Sequence, residues 1–96
     1  MPTKHSLAAA LKMARKARGL SQEAFSEVSS RTYLSTLERG MKSPTLSKIE
    51  TICQVLDIHP LTLLTLSYVG SSEVELDRLM SRVRSEFTVL SDPPKK

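Results

Sequence analysis

Apolar residues recur at helical spacing along most of the 96-residue chain. In the first segment they lie three or four positions apart and therefore share one face of a helix. The set is Leu7, Ala10, Leu11, Ala14 and Ala17. Ser6 can cap the start of this helix, and Gly19 supplies a left-handed stop. A short second helix, capped by Ser21, is expected next, and its apolar members are Ala24, Phe25 and Val28.

The third predicted helix combines an apolar face with short polar side chains. It begins near Ser30 and ends at Arg39, before Gly40. Its inward residues are Leu34 and Leu37, and its other faces carry Arg31, Thr32, Ser35, Thr36 and Arg39. The only carboxylate in this segment is Glu38, which we expect either to pair with an arginine such as Arg15 or to take part in capping, and not to touch DNA. A face with so little negative charge suits close approach to a polyanion.

Two further helices are predicted before residue 70. Thr45 caps a fourth helix that ends near Leu56. Its expected inward residues are Leu46, Ile49, Ile52, Cys53 and Leu56. Pro60 stands in the first turn of a fifth helix that runs through Leu66, where a missing N–H carries no penalty. His59 is expected to help cap that helix.

The last predicted helix, over about residues 73–90 and capped by Ser71 or Ser72, carries a heptad seam. Its apolar residues recur at spacings of four, three, four and three, with one more leucine beside them. The set is Leu76, Leu79, Met80, Val83, Phe87 and Leu90. So regular a seam predicts that this helix forms a dimer interface. The same residues would also allow the helix to fold back onto its own domain, and the sequence leaves both arrangements open.

Composition supports a helical chain with one basic half. Aromatic residues make up 4% and Trp is absent, so the core must consist of aliphatic side chains and Met, which favours helices over a sheet sandwich. The net charge is +4. Residues 1–42 hold eight Lys and Arg against three acids, whereas residues 43–96 hold six against seven. A polyanion would therefore meet the first half, although the charge alone equally fits an ordinary basic surface.

Several classes of protein are disfavoured. Cys53 is the only cysteine, so no intrachain disulfide can form, as is typical of the reducing cytoplasm. The first residues carry no apolar signal region, and no apolar run approaches the roughly 18 residues of a membrane span, so we expect a cytoplasmic protein without a membrane partner. His5 and His59 are far apart, and no catalytic triad, metal-ligand cluster or phosphate loop stands out. We therefore expect no enzyme activity, no cofactor and no metal.

Three short motifs occur in a fixed order. They are GLSQE at residues 19–23, YLSTLERG at residues 33–40 and SPTL at residues 43–46. With these motifs the chain resembles the Xre/Cro family, which has the lambda-repressor-like helix-turn-helix, over roughly residues 6–69. The segment 27–30 between the second and third helices is shorter than in the family pattern and lacks its usual glycine. Val28 is expected to be the buried residue of that turn. Because the segment is shorter, the angle of the third helix can differ from that in the family, which affects the individual DNA contacts more than the fold.

The resemblance implies an all-α fold. It consists of a five-helix lambda-repressor-like DNA-binding domain with an additional C-terminal amphipathic helix. The expected divisions are a flexible leader over residues 1–5, the helix-turn-helix domain over 6–69, a dimerisation helix over 71–90 and a disordered tail over 91–96.

The resemblance also implies which residues meet DNA. The expected base contacts are Arg31, Thr32, Ser35 and Thr36. The expected backbone contacts are Gln22, Tyr33, Arg39 and Lys42. Each of these DNA contacts has a simpler alternative. Arg31, Thr32 and Thr36 could be ordinary solvated residues, and Tyr33 could pack its ring at the domain edge.

The function implied is that of a sequence-specific transcriptional regulator, expected to be a repressor. It would read the major groove of double-stranded DNA as a homodimer, with no cofactor. An alternative is an antitoxin-like protein-interaction module that also regulates its own synthesis through DNA binding. In that case the heptad seam would bind another protein, whose identity the sequence does not give.

Overall fold

A computed structural model of the chain describes residues 6–92, and every regular element in this part is helical. The elements, in chain order, are α1 (Leu7–Ala17), a 3-10 helix (Gln22–Phe25), α2 (Arg31–Glu38), α3 (Leu46–Leu56), α4 (Pro60–Val69) and α5 (Glu73–Ser91). The all-α class and the five-plus-one arrangement are thus confirmed, with one correction to the type of the second element. The predicted leader over residues 1–5 and residues 93–96 of the predicted tail lie outside the described residues.

Most of the predicted helix caps are confirmed. The hydroxyls of Ser6, Ser30, Thr45 and Ser72 each accept a hydrogen bond from the backbone N–H three residues later, at 3.0–3.2 Å. The Nδ1 atom of His59 accepts from the backbone of Leu61 at 3.0 Å. These bonds satisfy N–H groups that have no partner inside the helix. The predicted cap at Ser21 is wrong, because its side chain makes no capping hydrogen bond.

Residues with positive φ follow four of the helical segments, and one of them is Gly70, after α4, with φ of 61°. Gly19 and Gly40 have φ of 70° and 74°, as expected from their stop positions. Asp57, which follows α3, has φ of 58° and is the non-glycine residue with positive φ among residues 6–92. Arg18 covers this end of α3: its Nε donates to Leu56 O at 2.9 Å and its Nη2 to Asp57 O at 2.8 Å. One arginine thereby ties the end of α1 to the end of α3.

One continuous core joins the first four α-helices and the 3-10 helix. The buried side chains that form it are Ala10, Leu11, Ala14, Phe25, Leu34, Leu37, Ile49, Ile52, Cys53, Leu56 and Leu63. Val28 packs partly buried against it, as predicted for the turn. Cys53 is 1% exposed, and burial raises the pKa of its thiol. The aliphatic palette seen in the sequence is therefore sufficient for a close-packed interior.

Some predictions of burial and length are wrong. Leu46 is 61% exposed because it is the first residue of α3, and burial along this helix begins one turn later at Ile49. Ala17 and Ala24 are also exposed, since α1 ends at Ala17 and the 3-10 helix turns only Phe25 into the core. The fifth predicted helix continues past Leu66 to the buried Val69.

The last helix extends away from the core. It includes Ser91, one residue beyond its predicted end, and none of its residues is buried. It packs against α4. The radius of gyration is 15.5 Å, against about 12 Å expected for a compact chain of this size. The greatest extent is 53 Å, so α5 makes the molecule elongated.

The helices of residues 6–92 do not include a single one that is long and apolar enough to cross a membrane. Only α3 and α4 together reach the necessary length and hydropathy, and they meet at a bend of 101°.

Candidate nucleic-acid interface

The predicted base-reading residues lie together on one side of α2. Arg31 and Thr32 are exposed in its first turn, and Ser35 and Thr36 are half-buried one turn later. Residues four apart on a helix lie one above the other, so Arg31 is above Ser35 and Thr32 above Thr36. Leu34 and Leu37 anchor the opposite side in the core. The short helix therefore presents a narrow polar ridge to solvent.

Hydrogen bonding within this ridge determines what it can still offer a ligand. The hydroxyl of Thr36 donates to Thr32 O at 2.7 Å, which leaves its oxygen as an acceptor and its methyl group free for apolar contact. The cap at Ser30 fixes the first turn of α2 from which Arg31 extends. Within the described residues, no side-chain hydrogen bond engages the guanidinium of Arg31.

The single carboxylate of α2 is turned away from this ridge. Arg15 Nε donates to Glu38 Oε2 at 2.6 Å and its Nη2 to Oε1 at 3.0 Å, while Nη1 donates to Leu20 O at 2.8 Å. The side chain of Glu38 is 4% exposed and that of Arg15 is 11% exposed. The predicted Glu38–Arg15 pair is thus confirmed, and it is bidentate. It removes the negative charge of α2 from the solvent-facing surface.

Burial and hydrogen bonding act in opposite directions on this carboxyl. Burial alone would raise the pKa of Glu38, but hydrogen bonds from Arg15 and Gln22, with the positive charge of Arg15, outweigh it and hold the pKa below its usual value. The Glu38 hydrogen bond raises the pKa of Arg15. Both groups are therefore charged at neutral pH.

Gln22, one of the expected phosphate contacts, joins Glu38 and Arg15 in one hydrogen-bonded cluster. It is the first residue of the 3-10 helix and is half-buried. Its Nε2 donates to Glu38 Oε1 at 3.2 Å, which fixes the orientation of the amide. The cluster therefore connects α1, the 3-10 helix and α2 through side-chain hydrogen bonds.

Tyr33 lies between two lysines at the side of α2. The Nζ atoms of Lys42 and Lys48 are 5.8 Å and 5.3 Å from the centre of its ring, within cation–π distance. Tyr33 is also packed against the core, which agrees with the alternative that its ring covers the domain edge. Its ring thereby holds two cations on one side of the ridge.

Lys48 was missed by the sequence reasoning. Its Nζ donates to Val28 O at 2.8 Å, which holds the turn between the 3-10 helix and α2 against α3. The signal was present in the sequence, because Lys48 falls in the first turn of a helix capped by Thr45. A cation is unfavourable at that end of the helix dipole unless another group binds it.

The remaining two predicted backbone contacts are both exposed at the far end of α2. Arg39 follows the last residue of the helix, and its Nε donates to Ser35 O at 3.4 Å, a long hydrogen bond. Lys42 lies in the loop that leads to α3. These positions add positive charge beside the polar ridge.

Residues 6–92 contain no group of three or more His, Cys, Asp or Glu side chains that could hold a metal ion.

Comparison with known proteins gives one match. Residues 11–63, more than half of the chain, match the model of a family described as helix-turn-helix. This range begins within α1 and ends within α4, and it includes every predicted DNA-contacting residue. No curated protein and no solved structure gives a significant match.

Proposed function

This chain belongs to the Xre/Cro-like helix-turn-helix family of DNA-binding regulators, and from that premise we propose that it reads a specific sequence of double-stranded DNA with α2. Arg31, Thr32, Ser35 and Thr36 would contact base edges in the major groove. Gln22, Tyr33, Arg39 and Lys42 would position the helix by contacting phosphates. In this proposal residues 6–69 are the DNA-binding unit.

The observation that carries the proposal is the inward position of Glu38. A carboxylate on the exposed side of α2 would be repelled by phosphates, and burying it against Arg15 removes that obstacle at the cost of desolvating two charges. The outward ridge then consists of Arg31 and three hydroxyl side chains. Arginine can donate two hydrogen bonds to one guanine, and threonine can touch a thymine methyl group.

The proposal extends to a homodimer that represses transcription. A short helix contacts only a few base pairs, and two copies that bind successive major grooves on one face of the duplex, about 34 Å apart, would double the site that is read. A dimer bound across a promoter would exclude polymerase. We infer that such a regulator acts in the cytoplasm.

Selection of bound duplexes from a random pool tests the sequence-specific part. The wild-type chain should enrich one motif, and Arg31→Ala should lose preference at one base position, with about 1–3 kcal/mol less discrimination there. Thr36→Val, which keeps the shape and removes the hydroxyl, should change preference at a neighbouring position. Arg78→Ala on α5 is the matched control for the loss of an exposed arginine and should leave the motif unchanged.

Two results would contradict the proposal. One is a wild-type chain that enriches no sequence. The other is an Arg31→Ala variant that weakens binding to all sequences by the same factor, which would assign Arg31 to phosphate contact.

A second candidate, the antitoxin-like interaction module, is favoured by the exposed apolar residues of α5. Val83, Phe87 and Leu90 are exposed on the part of that helix that extends from the core. A different protein bound there would co-purify with the chain in a constant ratio from native lysate. A chain that purifies alone and represses a reporter gene would favour the regulator without a protein partner.

A further inference from the structure

An open apolar groove runs between α4 and residues 73–86 of α5. It has a volume of about 1010 Å³. Leu61 and Tyr68 line it from α4, and Leu76, Met80 and Val83 line it from α5. Tyr68 is 72% exposed. Beyond the groove, Phe87 and Leu90 on the second half of α5 are 68% and 83% exposed. One chain therefore carries both an unfilled apolar groove and an uncovered apolar helix end.

We propose that the second half of α5 from another copy of this chain fills the groove, with the two α5 helices antiparallel. The proposal rests on the homodimer of the proposed function and specifies how it forms. A two-fold arrangement satisfies both features at once, because each copy supplies one groove and one helix end. The α4 helices then flank the α5 pair, so the interface includes Leu61 and Tyr68, which the sequence seam did not contain.

The spacing of apolar residues fixes the register of the pair. If the seam of each α5 faces the other in antiparallel orientation, Met80 lies opposite Val83 of the second copy. Leu76 then lies opposite Phe87 of the second copy, which places that ring in the groove. The helix of 19 residues is about 28 Å long, so the seam overlaps over the three turns from Leu76 to Phe87, while Leu90 lies opposite Glu73 of the second copy.

Charge decides between the antiparallel and parallel orientations. Asp77 and Arg84 flank the seam at equivalent heptad positions, seven residues apart. In the antiparallel register Asp77 of each copy meets Arg84 of the other, which gives two ion pairs across the interface. In a parallel pair Arg84 would meet Leu79 instead, and neither ion pair would form.

These two side chains are available for such a contact. Arg82 and Glu86 pair within α5 at 2.9 Å. Asp77 and Arg84 have no ion-pair partner among residues 6–92. The antiparallel arrangement gives both of them a partner.

Sedimentation of the full chain at low salt tests the arrangement. The wild type should be a dimer. Asp77→Arg and Arg84→Asp should each place like charges opposite each other twice and raise the dimer dissociation constant roughly tenfold or more. The double variant should restore it. An equimolar mixture of the two single variants should form heterodimers with near wild-type affinity, which shows that the pair joins different chains.

Matched controls separate this contact from general charge effects. Arg78→Asp makes the same change as Arg84→Asp on the side of α5 away from the seam, and it should not weaken the dimer. Phe87→Glu should produce monomers with an unchanged helical circular dichroism spectrum, because its ring is exposed in one copy.

The possible outcomes are distinct. A wild type that sediments as a monomer overturns the proposal and leaves the groove to another protein. A dimer that is indifferent to the single variants, or a double variant that fails to recover, overturns the antiparallel pairing. A dimer that behaves as expected but enriches no DNA sequence contradicts the proposed function alone.

Discussion

Glu38 and Arg15 form the most buried pair of charged side chains that the structure describes. Taking two charges out of water is costly, and the bidentate hydrogen bonds offset much of this cost. Arg15 also donates to Leu20 O, so one side chain holds α2 and the segment after α1. At the scale of single residues, the orientation of the candidate recognition helix depends on this cluster.

Arg15→Met should lower the free energy of unfolding by roughly 3 kcal/mol, because it leaves the Glu38 carboxylate buried without its partner. The double variant Arg15→Met with Glu38→Leu should regain most of this loss, since no buried charge remains. Urea unfolding at neutral pH measures both. Equal losses in the single and double variants would mean that packing, and not the unpaired charge, determines the effect.

At the scale of elements, the short α2 depends on its N-terminal cap. A helix of eight residues has marginal stability in isolation, and Leu34 and Leu37 hold it to the core on one side only. The Ser30 hydroxyl, which accepts from Tyr33 N at 3.0 Å, fixes the end that carries Arg31 and Thr32. Loss of this cap would loosen the turn that we propose to read bases.

Ser30→Ala should cost about 1 kcal/mol of stability and should also weaken binding to the selected DNA motif. Ser6→Ala is the matched control, because Ser6 makes the same kind of cap at the start of α1. It should lower stability similarly without changing affinity for DNA. Thermal unfolding and fluorescence anisotropy with labelled duplex check the two effects. Equal losses of affinity in both variants would contradict a special role of the α2 cap.

The sequence predicted those features that depend on local chemistry. Caps such as Ser6 and Thr45, and the stops Gly19 and Gly40, are set by single residues, and the structure has them where expected.

The 3-10 form of the second helix was not predictable, because a run of four residues contains no helical period to measure. The exposure of Leu46 was not predictable either, since the sequence does not show at which turn of α3 the packing against the core begins. Lys48 donates a hydrogen bond to Val28 O, twenty positions away in the sequence. The sequence shows only that a positive charge lies in the first turn of a helix, and it does not show which group binds that charge.

At the scale of the whole molecule, the basic candidate interface and the apolar surface of α5 lie in different parts of the chain. The basic first half of the chain contains the candidate interface, and the exposed apolar residues of α5 lie in the other half. A protein with this division can bind a polyanion and a second protein surface at once. The phosphate part of that binding is electrostatic and should depend on salt.

Lys42→Ala should reduce the slope of log affinity against log salt by about one, as expected for the loss of one phosphate contact. Its affinity should fall by a similar factor for specific and unrelated duplexes, because phosphates carry no sequence information. Lys16→Ala, which removes another exposed lysine of the same half, is the control. An unchanged slope for Lys42→Ala would place this lysine away from the DNA.

The buried thiol of Cys53 gives the molecule an internal reporter of its own opening. It is the only cysteine in the chain and it is enclosed by the core, so a thiol-modifying reagent can reach it only when the helices separate. The rate of modification then measures how often the helices separate, and no probe other than the reagent is needed. A ligand that binds only the closed state, such as an operator duplex, slows that rate in proportion to its occupancy.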